Sequence, residues 1–165
     1  MGQKVNPISL RLPIEKKWTS KWFAKRDFAE FIVEDIKMRD FITKKLGTNA
    51  SVEKVEVERN RDNITVKVHS ARPGVIIGRS GQGINALKEA IEKEIFKNQP
   101  KQKIKLEIIE IKNPELSASL VAQSIGSQIS RRVAYRRAVK QAMEKTMVKG
   151  AKGIKIRVGG RLNGA

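Results

Sequence analysis

A glycine-rich segment near the middle of the chain restricts the possible folds more than any other feature. Four of the twelve glycines lie within residues 71–83, and two of them frame the pattern Gly78-Arg79-Ser80-Gly81. Glycines at this density interrupt helices and strands, because glycine adopts backbone angles that other residues avoid. The segment therefore predicts a sharp, irregular connection between the regular elements on either side of it.

The residues before this segment predict a helix followed by a two-stranded hairpin. Apolar residues at helical spacing over 27–46, followed by Gly47, are typical of one amphipathic helix. Its apolar positions are Phe28, Phe31, Ile32, Ile36, Phe41, Ile42 and Leu46. Strict alternation of apolar and polar residues over 54–58 and 64–69 predicts two antiparallel strands, with a turn at 60–63.

The residues after the segment predict three helices and two strands. The first helix, which ends at 98–100, precedes a strand over 104–108. Asn113, Pro114 and Glu115 have the residue types that open a helix, and a further helix is expected over about 132–148, with a strand over 154–158. The apolar positions of the three helices are, in order, Ile84, Leu87, Ile91 and Ile95; Leu120, Val121, Ile125 and Ile129; and Val139, Met143 and Met147.

This order of elements resembles a KH domain of type II topology and predicts an α+β fold. Residues 1–25 are interpreted as a basic N-terminal tail with an aromatic anchor, and 26–112 as a KH domain with the order α-β-β-α-α-β. Residues 113–165 are interpreted as an α-α-β C-terminal domain. Because a lone strand leaves its edges unpaired, the sheet of this last unit is expected to be incomplete in this chain.

The glycine pattern has a chemistry that suits a phosphate backbone. Gly78 and Gly81 let the main chain approach phosphates closely, the following helix begins with free amide groups, and Arg79 adds a cation beside Ser80. KH domains clamp about four nucleotides with such a loop. A nucleotide-binding P-loop is disfavoured because Ile84 and Asn85 stand where Lys and Ser or Thr are needed. A glycine turn without any ligand is the remaining alternative.

Charge is concentrated at the two ends of the chain. The net charge is +18, and residues 1–25 contribute +5 and residues 126–165 contribute +10. A compact protein with this excess repels itself unless a polyanion neutralises it. We therefore expect nucleic acid as the partner and contacts from both ends, rather than an evenly solubilised surface.

The most basic stretch lies in the expected helix at 132–148. Arg132, Arg136 and Lys140 are four residues apart and are predicted to form one stripe, with Arg137 one step round the helix. No acidic residue occurs from 126 to 142. A solvated helix face would normally mix both signs, so the stripe predicts phosphate contacts that are sensitive to salt.

Basic residues of the tail and of the C-terminal end are expected to contact RNA as well. The tail residues are Lys4, Arg11, Lys16 and Lys17, and the C-terminal ones are Arg131, Lys152, Lys155, Arg157 and Arg161. Trp18 and Trp22 belong to the aromatic anchor within residues 1–25. These two indole rings either pack on the first domain or stack on RNA bases, and packing is the favoured interpretation.

Several short segments, in order, resemble the bacterial-type small-subunit ribosomal protein S-three family. They are Met1–Pro7, Leu10-Arg11, Trp22, 69–78, 113–116, Arg136–Ala138, 150–155 and 160–162. The resemblance covers essentially the whole chain. Members of the family usually continue beyond the Gly-Arg-Leu segment with further strands, so the C-terminal domain is expected to lack its last part here.

The resemblance implies a structural role in translation, in the head of the small ribosomal subunit in the cytoplasm. It implies binding to small-subunit rRNA and to neighbouring head proteins, the tenth and fourteenth of the small subunit. It also implies that Arg136, Arg137 and Lys140 line the path by which mRNA enters. A free-standing KH regulator or chaperone that binds single-stranded RNA is the alternative function.

The sequence predicts neither an enzyme nor a membrane protein. His69 is the only histidine, and it is expected to be structural rather than catalytic. The chain has no cysteine, and neither a metal nor a cofactor is expected. Acidic residues, among them Asp35 and Glu56, are expected on solvated surfaces. No apolar run approaches the length of about 18 residues that a membrane span requires.

Overall fold

The computed structural model describes residues 2–60, 63–96 and 103–162. Its elements are α1 (Pro7–Leu10), β1 (Ser20–Lys21), α2 (Phe28–Leu46), β2 (Val52–Arg59), β3 (Asn63–Ser70), α3 (Pro73–Ile77), α4 (Gln82–Ile95), β4 (Lys103–Glu110), α5 (Ala118–Ser130) and α6 (Tyr135–Val148). Single 3₁₀ turns span Arg79–Gly81 and Pro114–Leu116. The series from α2 to β4 confirms the predicted order and the α+β class. The predicted residues 61–62 of the hairpin turn and the helix end at 98–100 lie outside the described residues.

The four strands form one mixed sheet in the order β1-β2-β3-β4. The hairpin pairs β2 and β3 antiparallel, with Val57 opposite Val66. Strand β4 lies parallel to β3, with Ile64 opposite Ile104. Parallel neighbours need a crossover connection, and here α3 and α4 provide it. The glycine-rich segment is the junction within this crossover.

One hydrophobic core lies between α2, α3, α4 and one face of the sheet. Its fully buried members are Met38, Ile42, Val57, Ile64, Val66, Val68, Ile76 and Ile91. The predicted apolar stripe of α2 was partly wrong, because Ile36 is 49% exposed and Met38 is buried in its place. The buried positions of α2 are Asp35, Met38 and Ile42, which lie three and four residues apart. The buried face of α2 therefore includes the carboxylate of Asp35, which had been predicted on the surface.

Strand β1 was not predicted, and buried polar groups hold it in place. It adds in parallel to β2, where the Val57 amide donates to the Thr19 carbonyl over 2.8 Å. The Asp35 carboxylate accepts hydrogen bonds from the Ser20 hydroxyl at 2.7 Å and the Arg59 guanidinium at 2.8 Å. Asp35 and Glu56 are 1% and 7% exposed, so their predicted place on solvated surfaces was wrong.

The C-terminal unit is a pair of packed helices in the described residues. Leu120 and Ile125 of α5 are buried, as is Ala138 of α6. The predicted apolar face of α6 was wrong: Met143 and Met147 are 42% and 48% exposed. The shorter side chains of Ala138 and Thr146 face inward instead.

Two further predictions for this unit need correction. Asn113 opens only the 3₁₀ turn, because Ser117 has extended backbone angles (φ −86°, ψ 113°) that separate the turn from α5. The strand predicted over 154–158 is absent, and these residues have irregular backbone. A strand needs a neighbour for its amides and carbonyls, and the described residues supply none here.

Direct hydrogen bonds join the C-terminal unit to the first residues of β2. The Gln123 amide donates to the Val52 carbonyl over 2.9 Å, and the Ser117 hydroxyl donates to Glu53 over 2.7 Å. These contacts place α5 and α6 close to the beginning of the glycine-rich segment.

Candidate nucleic-acid interface

The glycine pattern forms a tight exposed turn between α3 and α4. Gly78, Ser80 and Gly81 have φ angles of 68°, 52° and 78°. Glycine adopts such positive angles freely, whereas L residues other than Asn and Asp rarely do. Gly78, Arg79 and Ser80 are exposed, and Gly81 is half-buried. The loop therefore presents its backbone and the Arg79 side chain to solvent, as the sequence predicted.

A third glycine brings the two helices together at this turn, and the prediction had not singled it out. A Cβ atom at Gly83 would lie 2.4 Å from the Ile76 carbonyl oxygen, and one at Gly78 would lie 3.0 Å from the Gly83 amide nitrogen. Only hydrogen fits at such distances. Three glycines at intervals of three and two residues, Gly78, Gly81 and Gly83, are the sequence signal of this close approach.

The first turn of α4 carries an uncompensated positive end. Gly81 is its N-cap, no side chain accepts a hydrogen bond from its first amides, and no acidic residue lies in the first turn. Backbone amides and the helix dipole at such a terminus favour a negatively charged ligand. Arg79 adds a full charge beside them.

The apolar residues around the loop divide into two groups. Ile76 is 2% exposed and belongs to the core, whereas Val75 is 57% exposed and Ile77 is 38% exposed. Ile84 is half-buried. Ile76 therefore contributes to packing alone, whereas Val75, Ile77 and Ile84 keep accessible surface beside the loop.

Of the four cations predicted on this helix, α6 carries Arg136, Arg137 and Lys140. All three are exposed, and within the described ranges none of them pairs with a carboxylate. The Arg136 Nε–H donates to the Tyr135 hydroxyl over 3.1 Å. These three cations form a free basic surface on one helix.

Arg132 does not belong to this stripe, because α6 begins only at Tyr135. Arg132 has φ 65°, its amide donates to the Ile129 carbonyl over 2.9 Å, and the Val133 amide donates to Gln128 over 3.1 Å. These two bonds define a Schellman motif, which ends α5. Arg131 and Arg132 therefore lie at the C-terminus of α5, where a positive charge interacts favourably with the helix dipole.

The other predicted cations are exposed at the two ends of the chain. In the tail, Lys4, Lys16 and Lys17 are exposed, and Arg11 forms an ion pair with Glu15 at 3.5 Å. Beyond α6, the exposed cations are Lys152, Lys155, Arg157 and Arg161. The structure thus brings Arg136, Arg137 and Lys140 together on α6.

The two tryptophans have different surroundings. The Trp22 indole donates to Asp35 over 2.8 Å and contacts the rings of Phe28 and Phe31, with centroid distances of 5.3 and 5.6 Å. Trp18 is 61% exposed. Packing on the first domain is therefore confirmed for Trp22, and the role of Trp18 stays a prediction.

The open face of the sheet is charged but locally neutral. Lysines pair with glutamates across it, within β2 as in Lys54–Glu56 and between neighbouring strands as in Lys67–Glu58, both at 2.7 Å. Burial by itself would raise the pKa of Glu56, but hydrogen bonds from Lys54 and Lys21 lower the pKa to about 2. This face therefore has little free positive charge for a polyanion, in contrast to α6.

His69 lies on the same face, with its Nε2 atom 3.5 Å from Glu56. Burial, together with the charge of Lys54, lowers the pKa of His69. In the part of the chain that the structure describes, no group of His, Cys, Asp and Glu could hold a metal ion. No described helix combines the length and apolar character of a membrane span.

The fold and the loop together define a KH domain, and a KH domain family model matches residues 37–116. A second model, ribosomal protein S3, C-terminal domain, matches residues 125–165. KH domains use such a loop to hold the backbone of nucleic acid. The class of protein is therefore a KH-type RNA-binding protein with an additional C-terminal domain.

Curated relatives identify the family. Small ribosomal subunit protein uS3 of Pediococcus pentosaceus is 46% identical over 165 residues, which cover 100% of this chain and 71% of the relative. The same protein of Lactiplantibacillus plantarum is 46% identical and that of Listeria welshimeri 43%, with 100% of this chain and 73% of each relative covered. The chain belongs to the uS3 family of small ribosomal subunit proteins, which are ribosomal proteins and not enzymes.

Proposed function

We propose that this chain is a structural component of the small ribosomal subunit that binds rRNA and lines the path of incoming mRNA. Family membership supports the ribosomal role, in the cytoplasm of a bacterial cell. The surface of Arg136, Arg137 and Lys140, which is exposed and has no carboxylate partner among the residues that the structure describes, carries the mRNA part of the proposal. Three cations at helical spacing can follow consecutive phosphates of a single strand without reading its sequence.

The remaining cations are assigned to rRNA. The tail and the residues beyond α6 present exposed charge, as contacts with the phosphates of folded RNA require. In the same proposal, neighbouring head proteins, by resemblance the tenth and fourteenth of the small subunit, contact the remaining surface. Location of the chain in a density map of the particle tests both assignments, and a position outside the head contradicts them.

A double substitution tests the α6 surface. Arg136→Ala with Arg137→Ala removes two phosphate contacts, so the affinity for single-stranded RNA should fall roughly tenfold. The slope of log K against log salt should fall by about 1.4, since each contact with a single strand contributes about 0.7. Fluorescence anisotropy with a labelled oligonucleotide at several salt concentrations measures both quantities.

The matched control is Lys37→Ala with Lys44→Ala, which removes the same charge from exposed positions of α2. If this control changes the affinity and the slope as much as the arginine pair does, the cations act only through net charge. The assignment of the RNA path to α6 then fails.

A second substitution tests the glycine loop. Replacing Arg79 and Ser80 by Asp adds two negative charges beside the helix terminus and removes one positive charge, so it should abolish the contribution of the loop to RNA binding. Ser80 has φ 52° and ψ 27°, a conformation that Asp tolerates, so circular dichroism should be unchanged. Gly78 and Gly81 are unsuitable for such a test, because their positive φ angles would add strain to a larger side chain.

The control for the loop is Lys112→Asp with Asn113→Asp, which makes the same change in charge at two exposed residues outside it. Equal loss of RNA affinity in both variants would contradict a specific role for the loop. The alternative function, a free-standing RNA-binding regulator, predicts that the protein never sediments with small subunits in a cell lysate at physiological salt.

A further inference from the structure

A cleft of about 310 Å³ with a mixed polar and apolar lining separates the KH domain from the helices α5 and α6. The end of the sheet and the start of α3 form one wall, and the two C-terminal helices form the other. Its lining residues from the KH side include Ser51 and Arg72, and those from the helices include Ser124, Gln128, Gln141 and Lys145. The volume is at the lower end of the range of about 300 to 1,000 Å³ of small-ligand pockets.

Two cations line this cleft from opposite walls. Arg72 and Lys145 are both exposed. Glu115 also lines the cleft, but across the described ranges neither cation comes within the 4.0 Å of a carboxylate oxygen that an ion pair requires. Two facing cations that lack a paired carboxylate attract an anion that can lie between them.

Neutral polar side chains line the same cleft as these cations. Gln128 and Gln141 contribute side-chain amides, each of which can donate and accept hydrogen bonds. The Gln128 amide is engaged only by a long contact of 3.4 Å with the Ser124 hydroxyl. Amides that both donate and accept suit the hydrogen-bonding edge of a base.

The cleft lies beside both proposed RNA contacts. Arg72 immediately precedes α3, whose far end is the glycine loop. On α6, Gln141 and Lys145 follow Arg137 at intervals of four residues and so share one side of the helix with it. A strand that contacts Arg137 and continues towards the loop would therefore pass this opening.

We propose that the cleft binds one nucleotide of a single-stranded RNA, an inference that rests on the proposed function. Its phosphate lies between Arg72 and Lys145, and its base contacts Gln128 and Gln141. A free nucleoside monophosphate has the same chemistry, so the test includes it as a separate ligand.

The experiment uses the full chain and compares two double variants. Arg72→Ala with Lys145→Ala should lower the affinity for a uridine-rich oligonucleotide roughly tenfold and the salt slope by about 0.7, because one phosphate contact is lost. Lys112→Ala with Lys149→Ala, which removes two exposed cations outside the cleft, should change neither as strongly. With 4-thiouridine in the oligonucleotide, irradiation should crosslink peptides that contain residues 124–128 or 141–145.

The outcomes separate this inference from the proposed function. If Arg136→Ala with Arg137→Ala weakens binding but the cleft variant equals its control and no crosslink maps to the cleft, the inference is overturned and the proposed function stands. If the unaltered chain does not bind single-stranded RNA at all, both fail. Binding of free uridine monophosphate at the cleft, without any crosslink from the strand, also overturns the inference.

Discussion

At the scale of single residues, Glu56 shows how a paired carboxylate couples stability to pH. Its pKa in the folded protein is about 2, below the ordinary value of 4.5, so the folded state favours the ionised form. The resulting stability is fully present above about pH 4.5 and is lost as the pH falls through about 2. The contribution at neutral pH is roughly 2 to 3 kcal/mol.

The corresponding prediction concerns Glu56→Gln, which removes the charge at nearly constant volume. We expect the variant to unfold more easily than the unaltered protein at pH 7, and the difference to shrink towards zero near pH 2. Urea denaturation at a series of pH values measures it. Glu89→Gln removes an exposed carboxylate of α4 as a control, and an equal pH dependence in both variants would contradict the role given to Glu56.

Arg132 and Gly150 show why one helix end could be predicted and the other could not. Both have positive φ angles, 65° and 90°, just after the ends of α5 and α6. At the end of α6, the Gly150 amide donates a hydrogen bond to the Met147 carbonyl, and the Ala151 amide donates one to the Thr146 carbonyl. These two bonds form a second Schellman motif. Glycine is the usual residue at this position, so the end of α6 was predictable, whereas an arginine there gives no such signal.

At the scale of elements, the junction of α3 and α4 depends on Gly83. The Gly83→Ala change would place a methyl group 2.4 Å from the Ile76 carbonyl oxygen and 2.9 Å from that of Ile77. Since both neighbours are backbone atoms, the two helices must separate, at a loss of about 2 kcal/mol or more. Chemical denaturation of the variant gives this free energy directly.

Gly74→Ala is the matched control for this change. Gly74 lies within α3, has no positive φ angle, and has no atom within 4 Å of the position that an alanine methyl group would take. The substitution should leave stability unchanged or raise it by up to about 1 kcal/mol, because alanine favours helices. Similar losses in both variants would show that any methyl group in this segment is harmful and that the close approach at Gly83 is not decisive.

At the scale of the whole molecule, Asp35 connects three parts of the fold. It lies on α2, pairs with Arg59 of β2 at 2.6 Å, and accepts hydrogen bonds from Ser20 and Trp22 of the N-terminal segment. Its side chain is 2% exposed and that of Arg59 is 5% exposed. The attachment of β1 to the sheet therefore depends on one buried carboxylate.

Asp35→Ala should be strongly destabilising, because Arg59 would keep its charge in a buried site with Glu34 as its remaining partner. We expect a loss of about 3 to 5 kcal/mol in the free energy of unfolding. Trp22→Phe removes a single hydrogen bond to the same carboxylate and should lose only about 1 kcal/mol from that bond. Urea denaturation of both variants gives the two losses, and equal effects would refute the central role of Asp35.

Much of the architecture and of the candidate site was determined by the sequence itself. Alternation specified the hairpin, helical spacing specified α4, and the density of glycines specified the turn at 78–81, because these signals act between residues near in the chain. The concentration of positive charge at the two ends of the chain could also be predicted, since it depends only on composition along the chain.

Only the tertiary structure decided which surfaces that charge occupies. The lysines of the sheet are neutralised by glutamates of neighbouring strands, as at Lys67 and Glu58, whereas the cations of α6 remain free within the described ranges. The burial of Asp35, the addition of β1 and the cleft beside Arg72 likewise depend on segments far apart in sequence. Pairing across strands and between domains is set by the packing of the core, and no local pattern encodes it.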